Sequence, residues 1–201
     1  MRRSKMDTKQ RDKESFACLD DLLKYRDLED GIVHINGEID SYIVHDFTLF
    51  CHEIKRRMKA GSVLTVTLNS PGGDVHKAFA IYDALRRVSR EGIKVRIIVE
   101  GLAASAAAMI VLQAGDERIS RPHATFLLHE PKRWVIFNSE STSQLENEVT
   151  EMNRITDLIV KILATRCGKS EEEVRETIRL REVWMPPEEA KDWGLIDKIE
   201  E

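Results

Sequence analysis

Val95-Arg96-Ile97-Ile98-Val99-Glu100-Gly101-Leu102-Ala103-Ala104-Ser105-Ala106-Ala107-Ala108-Met109 carries an apolar run into a glycine and then into small residues around one hydroxyl. A short apolar run of this kind reads as a buried strand. Gly101 permits a tight turn, and the residues after it read as a helix whose first turn holds Ser105. That place suits a nucleophile. Small neighbours admit a substrate carbonyl, and the unpaired N–H groups of a helix start can hold an oxyanion. A small residue selected for close helix packing leaves the same local sequence, so this segment alone does not decide.

The flanking segments add chemistry. Upstream, the strand Leu64-Thr65-Val66-Thr67-Leu68 runs into Asn69-Ser70-Pro71-Gly72-Gly73-Asp74. A Pro-Gly-Gly turn before a helix exposes backbone N–H groups, because glycine has no Cβ and adopts positive φ freely. It can supply a second oxyanion donor. Downstream, Ala124-Thr125-Phe126-Leu127-Leu128 reads as a buried strand that ends in His129-Glu130-Pro131. A histidine at a strand end, with a proline stopping the ladder, is well placed as a general base. Each feature also has a plain explanation, as an ordinary turn or a surface histidine. Their order along the chain is what is specific.

The rest of the chain repeats strand and helix. Leu19, Leu22 and Leu23 suggest a short amphipathic turn, and Gly31–Ile35 is the first strand. From Asp40 to Lys59, Ile43, Phe47, Phe50, Ile54 and Met58 recur at helical spacing, with Asp40 or Ser41 as the cap. From Asp74 to Arg90, Val75, Ala78, Phe79, Tyr82 and Leu85 form one apolar face, while Arg86, Arg87 and Arg90 face water. Leu145, Val149, Met152, Ile155, Ile159, Ile162 and Leu163 mark a long helix that ends near Gly168. Alternation of this kind predicts an α/β fold with a largely parallel sheet.

Bulk properties exclude several classes. The chain has 201 residues and a formal charge of −4, which favours neither nucleic acid nor an anionic membrane as a partner. No stretch is long and apolar enough to span a bilayer. Arg2, Arg3 and Lys5 are not followed by an apolar core, so they do not read as a secretory signal. Residues 1–14 are charged and aperiodic and are expected to form a mobile tail, with residues 15–201 as a single domain. Cys18, Cys51 and Cys167 are scattered, which fits reduced thiols in a cytoplasm, with Cys51 as a small core residue. No His-Glu-x-x-His pattern occurs, and His45, His52, His76 and His123 read as surface residues, so no metal is expected. A Walker-type phosphate loop is also lacking.

Taken together, Asn69-Ser70-Pro71-Gly72-Gly73, Ala80-Ile81-Tyr82-Asp83, Gly101 with Ala103-Ala104-Ser105, Leu128-His129-Glu130-Pro131, Trp184-Met185, Glu189-Ala190 and Trp193-Gly194-Leu195-Ile196-Asp197 resemble the proteolytic subunits of the Clp protease family. The resemblance runs from about Leu22 to Ile199. It implies a ClpP/crotonase-like stacked β-β-α spiral with a projecting helical handle, here about residues 132–168. It implies serine peptidase chemistry, with Ser105 as nucleophile, His129 as base, and the Gly73 and Ala106 N–H groups as the oxyanion hole. The third triad member falls on Glu182, where the family carries aspartate; Asp157 is a second candidate, placed only by its position in the long helix. The resemblance further implies a homo-oligomer of stacked heptameric rings. Peptides and unfolded proteins would be delivered by an ATP-dependent unfoldase, with no cofactor in this chain itself.

Two departures from the family pattern stand out. Glutamate is one methylene longer than aspartate and demands a different backbone placement to orient a histidine. The cleft strand that is usually glycine-rich is replaced by Lys132-Arg133-Trp134-Val135-Ile136-Phe137-Asn138-Ser139. An apolar strand over Trp134–Phe137 needs a partner, which points to burial in an assembly. Two other functions therefore stay open from sequence: a non-catalytic ring subunit, and an acyl-CoA enzyme of the crotonase type. The Ser105–His129 pair argues against the latter. The departures also leave a housekeeping protease and a phage-type relative undistinguished.

Overall fold

The computed structural model describes residues 19–132 and 142–201. The expected tail over residues 1–14 and the apolar segment Trp134–Phe137 lie outside these residues.

Strand β3 (Lys94–Ala104) is the axis of the molecule. Its first half lies between β2 (Val63–Ser70) and β4 (Glu117–Ser120), all parallel, with Arg96–Val99 facing Glu117–Ser120. Its second half leaves β4 and pairs instead with β5 (Thr125–Leu128), Ala104 facing Leu127. The change of neighbour falls at Glu100-Gly101. Gly101 has φ 94, and a Cβ there would lie 3.1 Å from the Asn69 Oδ1. Left-handed backbone against a neighbouring side chain favours glycine, and the strand steps to a second level here. The β2–β3 register shifts at the same height, between Leu68 and Ser70. Strand β1 (Ile32–Asn36) closes one edge parallel to β2. The short strands β6 (Val183–Met185), antiparallel to β5, and β7 (Lys198–Ile199), parallel to β4, complete the sheet.

Helices cover the sheet. The predicted turn at Leu19–Leu23 is a full helix, α1 (Leu19–Asp30). Helix α2 (Ser41–Arg57) is capped by Asp40, whose carboxylate accepts from Tyr42 N and Ile43 N, each at 2.9 Å. It buries Phe47, Cys51 and Ile54, and burial pushes the Cys51 thiol up to about 12, so it packs as an inert core group. Helix α3 (Val75–Arg90) is capped by Asp74 and buries Ala78, Ile81, Leu85 and Val88. The predicted apolar face of α3 is therefore rotated toward Ile81 and Val88, with Phe79 and Tyr82 packed at its border. Arg86 does not simply face water. It donates to the Ala114 carbonyl at 3.1 Å and to the Asp116 carboxylate at 2.6 Å.

The long helix α4 (Thr142–Cys167) ends at Gly168, which has φ 66, as its sequence predicts. Its apolar stripe divides. Ile155, Ile159 and Leu163 are buried, whereas Leu145 and Val149 are 49% and 61% exposed. Helices α5 (Glu171–Ile178), opened by a Ser170–Glu173 capping box, and α6 (Pro187–Trp193) pack the remaining edge.

The candidate active site

Ser105 stands where β3 ends, but not inside a helix. It occupies a left-handed turn with φ 53, and the segment after it is a π turn over Ala107–Val111 followed by a 3-10 turn over Leu112–Ala114, all buried. The expected regular helix beginning at the serine is thus corrected. The reversal lies where β3, β5 and the Gly72 loop meet: the Ser105 backbone bonds to β5 and its Cβ faces Gly72. Left-handed backbone in a residue with a Cβ costs about 1–2 kcal/mol. Two hydrogen bonds hold it. Ser105 N donates to the Leu127 carbonyl at 2.9 Å, and the Ser105 carbonyl accepts from Met109 N at 2.9 Å. The side chain is left half-buried at the end of the strand.

The Pro71-Gly72-Gly73 loop lies against this turn. A Cβ on Gly72 would sit 2.7 Å from the Ala104 carbonyl oxygen, 2.8 Å from the Ser105 Cβ and 3.1 Å from Ala106 N. The loop is clamped from behind: Ile39 N donates to the Gly72 carbonyl at 2.7 Å, and Asp74 N donates to the Ile39 carbonyl at 3.1 Å. Ser70, fully buried, accepts from Gly72 N on its hydroxyl at 3.1 Å. Among the described residues, no hydrogen bond takes up the N–H of Gly73 or of Ala106. These are the two donors predicted for an oxyanion hole. Ser70 is a site residue that sequence reasoning misses, although a serine two positions before a glycine N–H is a recognisable turn brace.

His129 follows directly on β5, half-buried. The β3–β5 register, with Ala104 facing Leu127, sets Ser105 and His129 at the same end of the sheet, each just past its strand. Its Nδ1 lies 2.5 Å from the Glu130 carbonyl oxygen. A carbonyl only accepts, so Nδ1 is the donor here; in the neutral ring this contact selects the tautomer whose Nε2 lone pair is free to act as a base. Among the described residues no hydrogen bond joins the Ser105 hydroxyl to His129.

Glu182 enters from β6. Leu128 pairs with Val183, and one further step of this antiparallel register sets Glu182 opposite His129. The carboxylate is nevertheless engaged elsewhere: Lys132 Nζ donates to Glu182 Oε1 at 2.7 Å. Lys132 holds this carboxyl below the ordinary glutamate range, with smaller contributions from the Trp184 indole N–H and from His129. Asp157, the second candidate, is bound by Arg175 of α5 at 2.7 Å rather than by His129. Sequence reasoning also misses Lys132 and Trp184 as neighbours of the acid. The strand register alone reveals them.

No group of three potential metal ligands occurs among the described residues, and His45, His52, His76 and His123 are exposed there. No helix among them is long and apolar enough to cross a membrane.

A sheet that steps to a second level at Gly101, with helices over the steps and a long helix standing off it, defines the ClpP/crotonase-like fold. A solved ClpP1 mutant from Listeria monocytogenes has this fold, with a TM-score of 0.77 over 89% of this chain and 96% of that one, at 24% identity. The chain belongs to the Clp protease family, whose model matches residues 14–201. It is 29% identical over 174 residues to the ATP-dependent Clp protease proteolytic subunit of Porphyromonas gingivalis, covering 85% of this chain and 73% of that one. It is 31% identical over 140 residues to subunit 1 of Protochlamydia amoebophila, covering 69% and 66%, and 35% identical over 144 residues to subunit 1 of Cutibacterium acnes, covering 71% and 64%. Membership of this family sets aside the acyl-CoA reading.

Proposed function

We propose that the chain is a serine endopeptidase that cuts peptides and unfolded proteins through an acyl-enzyme. The observation that carries this reading is the packing of the Gly72 backbone against Ser105 and Ala106 N, with the Gly73 and Ala106 N–H groups taken up by no hydrogen bond among the described residues. His129 Nε2 takes the Ser105 proton as the hydroxyl oxygen attacks the peptide carbonyl. The two N–H groups receive the negative charge that develops on the carbonyl oxygen. The imidazolium then protonates the leaving amine, and a water deprotonated by the same nitrogen releases the acid product. Glu182 serves as the carboxylate that stabilises the imidazolium, once it turns from Lys132.

The exposed apolar residues Leu145 and Val149 on α4 favour a homo-oligomer in which this helix packs against a second copy. The names of the relatives, ATP-dependent proteolytic subunits, support a partner ATPase; in the scheme proposed here that partner unfolds substrates and feeds stacked rings in the cytoplasm. The chain needs no cofactor of its own in this scheme. Its test is substrate selectivity. The isolated protein should cut short fluorogenic peptides without ATP and leave a stably folded protein intact. Ser105→Ala should abolish the peptide activity. Rapid digestion of the folded protein by the isolated chain would remove the gated chamber, and full activity in Ser105→Ala would remove the serine.

A further inference from the structure

The acid that should orient His129 is held in a competing ion pair. Lys132 Nζ and Glu182 Oε1 are 2.7 Å apart, and the two side chains are 62% and 48% exposed. Meanwhile the Nδ1–H of His129 is given to the Glu130 carbonyl. Among the described residues, Arg181 and Glu130 of the same segments are engaged as well. The Arg181 guanidinium donates to the Thr177 and Glu176 carbonyls, and the Glu130 carboxylate accepts from Leu180 N. Among the described residues Lys132 is therefore the cation that holds the Glu182 carboxylate, with a lesser contribution from the Trp184 indole N–H.

We propose that Lys132 is a positioning residue that restrains Glu182: the triad closes only when the Lys132–Glu182 pair opens and the carboxylate replaces the Glu130 carbonyl at His129 Nδ1. This inference rests on the serine-peptidase reading above. Its chemistry is a competition for one carboxylate. Paired with an ammonium, Glu182 lends little charge to an imidazolium. Released, it is a stronger acceptor for Nδ1–H than a neutral carbonyl is. An exposed ion pair is weak, so the restraint is shallow and shifts the population of closed triads about two- to fivefold. Added salt screens such a pair and should loosen it.

The experiment compares wild type, Lys132→Gln, Lys132→Arg, Glu182→Gln, the Lys132→Gln/Glu182→Gln double variant and Ser105→Ala on a short fluorogenic peptide, at low and high salt. Lys132→Gln is expected to raise kcat about two- to fivefold at low salt with KM unchanged. It should also abolish the salt activation expected of wild type. Lys132→Arg, which keeps the ion pair, should behave as wild type. The gain should vanish in the double variant, because there is no carboxylate to release. Activity in Lys132→Gln at or below wild type, with Ser105→Ala inactive, overturns the restraint and leaves the peptidase reading standing. Loss of the serine dependence, or no turnover in any variant, overturns both.

Discussion

Gly72→Ala is the sharpest perturbation of the site. Two effects separate. The first is backbone strain: Gly72 has φ 96, and a side chain in that region costs about 1–2 kcal/mol. The second is a collision. The new methyl would lie 2.7 Å from the Ala104 oxygen and 2.8 Å from the Ser105 Cβ, both far inside an ordinary contact. Relief requires the loop or the serine turn to move by several tenths of an ångström or more. Ile39 and Ser70 clamp the loop from behind, so the movement opens the gap between the serine and the Gly73 N–H. A displacement approaching about 1 Å lowers the rate on the order of a hundredfold. Gly37→Ala is the matched control: Gly37 has φ 102, and nothing lies within 4 Å of its Cβ position. Gly37→Ala should lose about 1–2 kcal/mol of stability by urea unfolding, and Gly72→Ala more than that, because the collision adds to the strain. Only Gly72→Ala should lose kcat, by about a hundredfold, in peptide hydrolysis. Equal kcat in the two variants, within about threefold, would refute the claim that the Gly72 backbone builds the site.

Other consequences arise from the same contacts. Glu182→Gln should lower kcat by only about 10- to 100-fold, the worth of one charge-assisted hydrogen bond, because the Glu130 carbonyl already fixes the histidine tautomer; a loss near 10⁴-fold would show that it does not. Arg118, 6% exposed, donates to Asp197, to the Gln113 side chain at 2.8 Å and to the Gly194 carbonyl at 3.0 Å. Arg118→Met should therefore lower stability by about 1–3 kcal/mol in urea, chiefly by taking the Arg118 donor from the buried Gln113 side chain, since Asp197 is 40% exposed and keeps the Arg118 backbone N–H. Hydrogen bonds from Lys198 and then Arg96 hold Glu117 at about 2, against an ordinary 4.5. A depressed folded value gives stability that is present above pH 4.5 and lost as pH falls toward 2. Thermal melts across that interval should fall less steeply in Glu117→Gln than in wild type.

Much of this architecture is legible in the sequence, because the signals are local. The alternation of apolar runs with amphipathic helices gives the parallel sheet. Asp40 and Asp74 announce two helix starts, and Gly168 one helix end. His129 is readable as a strand-end residue because Pro131 follows it. The failures are equally physical. The left-handed turn at Ser105 is invisible in a run of alanines, which looks like any helix start. Only the packing of β3, β5 and the glycine loop forces the reversal. Arg86 looks solvent-facing until the fold brings Asp116 to it. The restraint of Glu182 joins residues on either side of the long helix, and no spacing rule connects them. For α1, the charged residues after Leu23 hide the continuation of the helix, although Leu28 carries its apolar side on to the core.

Covalent labelling reads the activation of Ser105 without relying on any choice of substrate. A fluorophosphonate probe reacts with a serine only when a base and an oxyanion hole activate it. The probe should label the wild-type protein, peptide mapping should place the adduct on Ser105, and Ser105→Ala and His129→Ala should take up none. Equal labelling of wild type and Ser105→Ala, or an adduct on another residue, would contradict the assignment of Ser105 as the nucleophile.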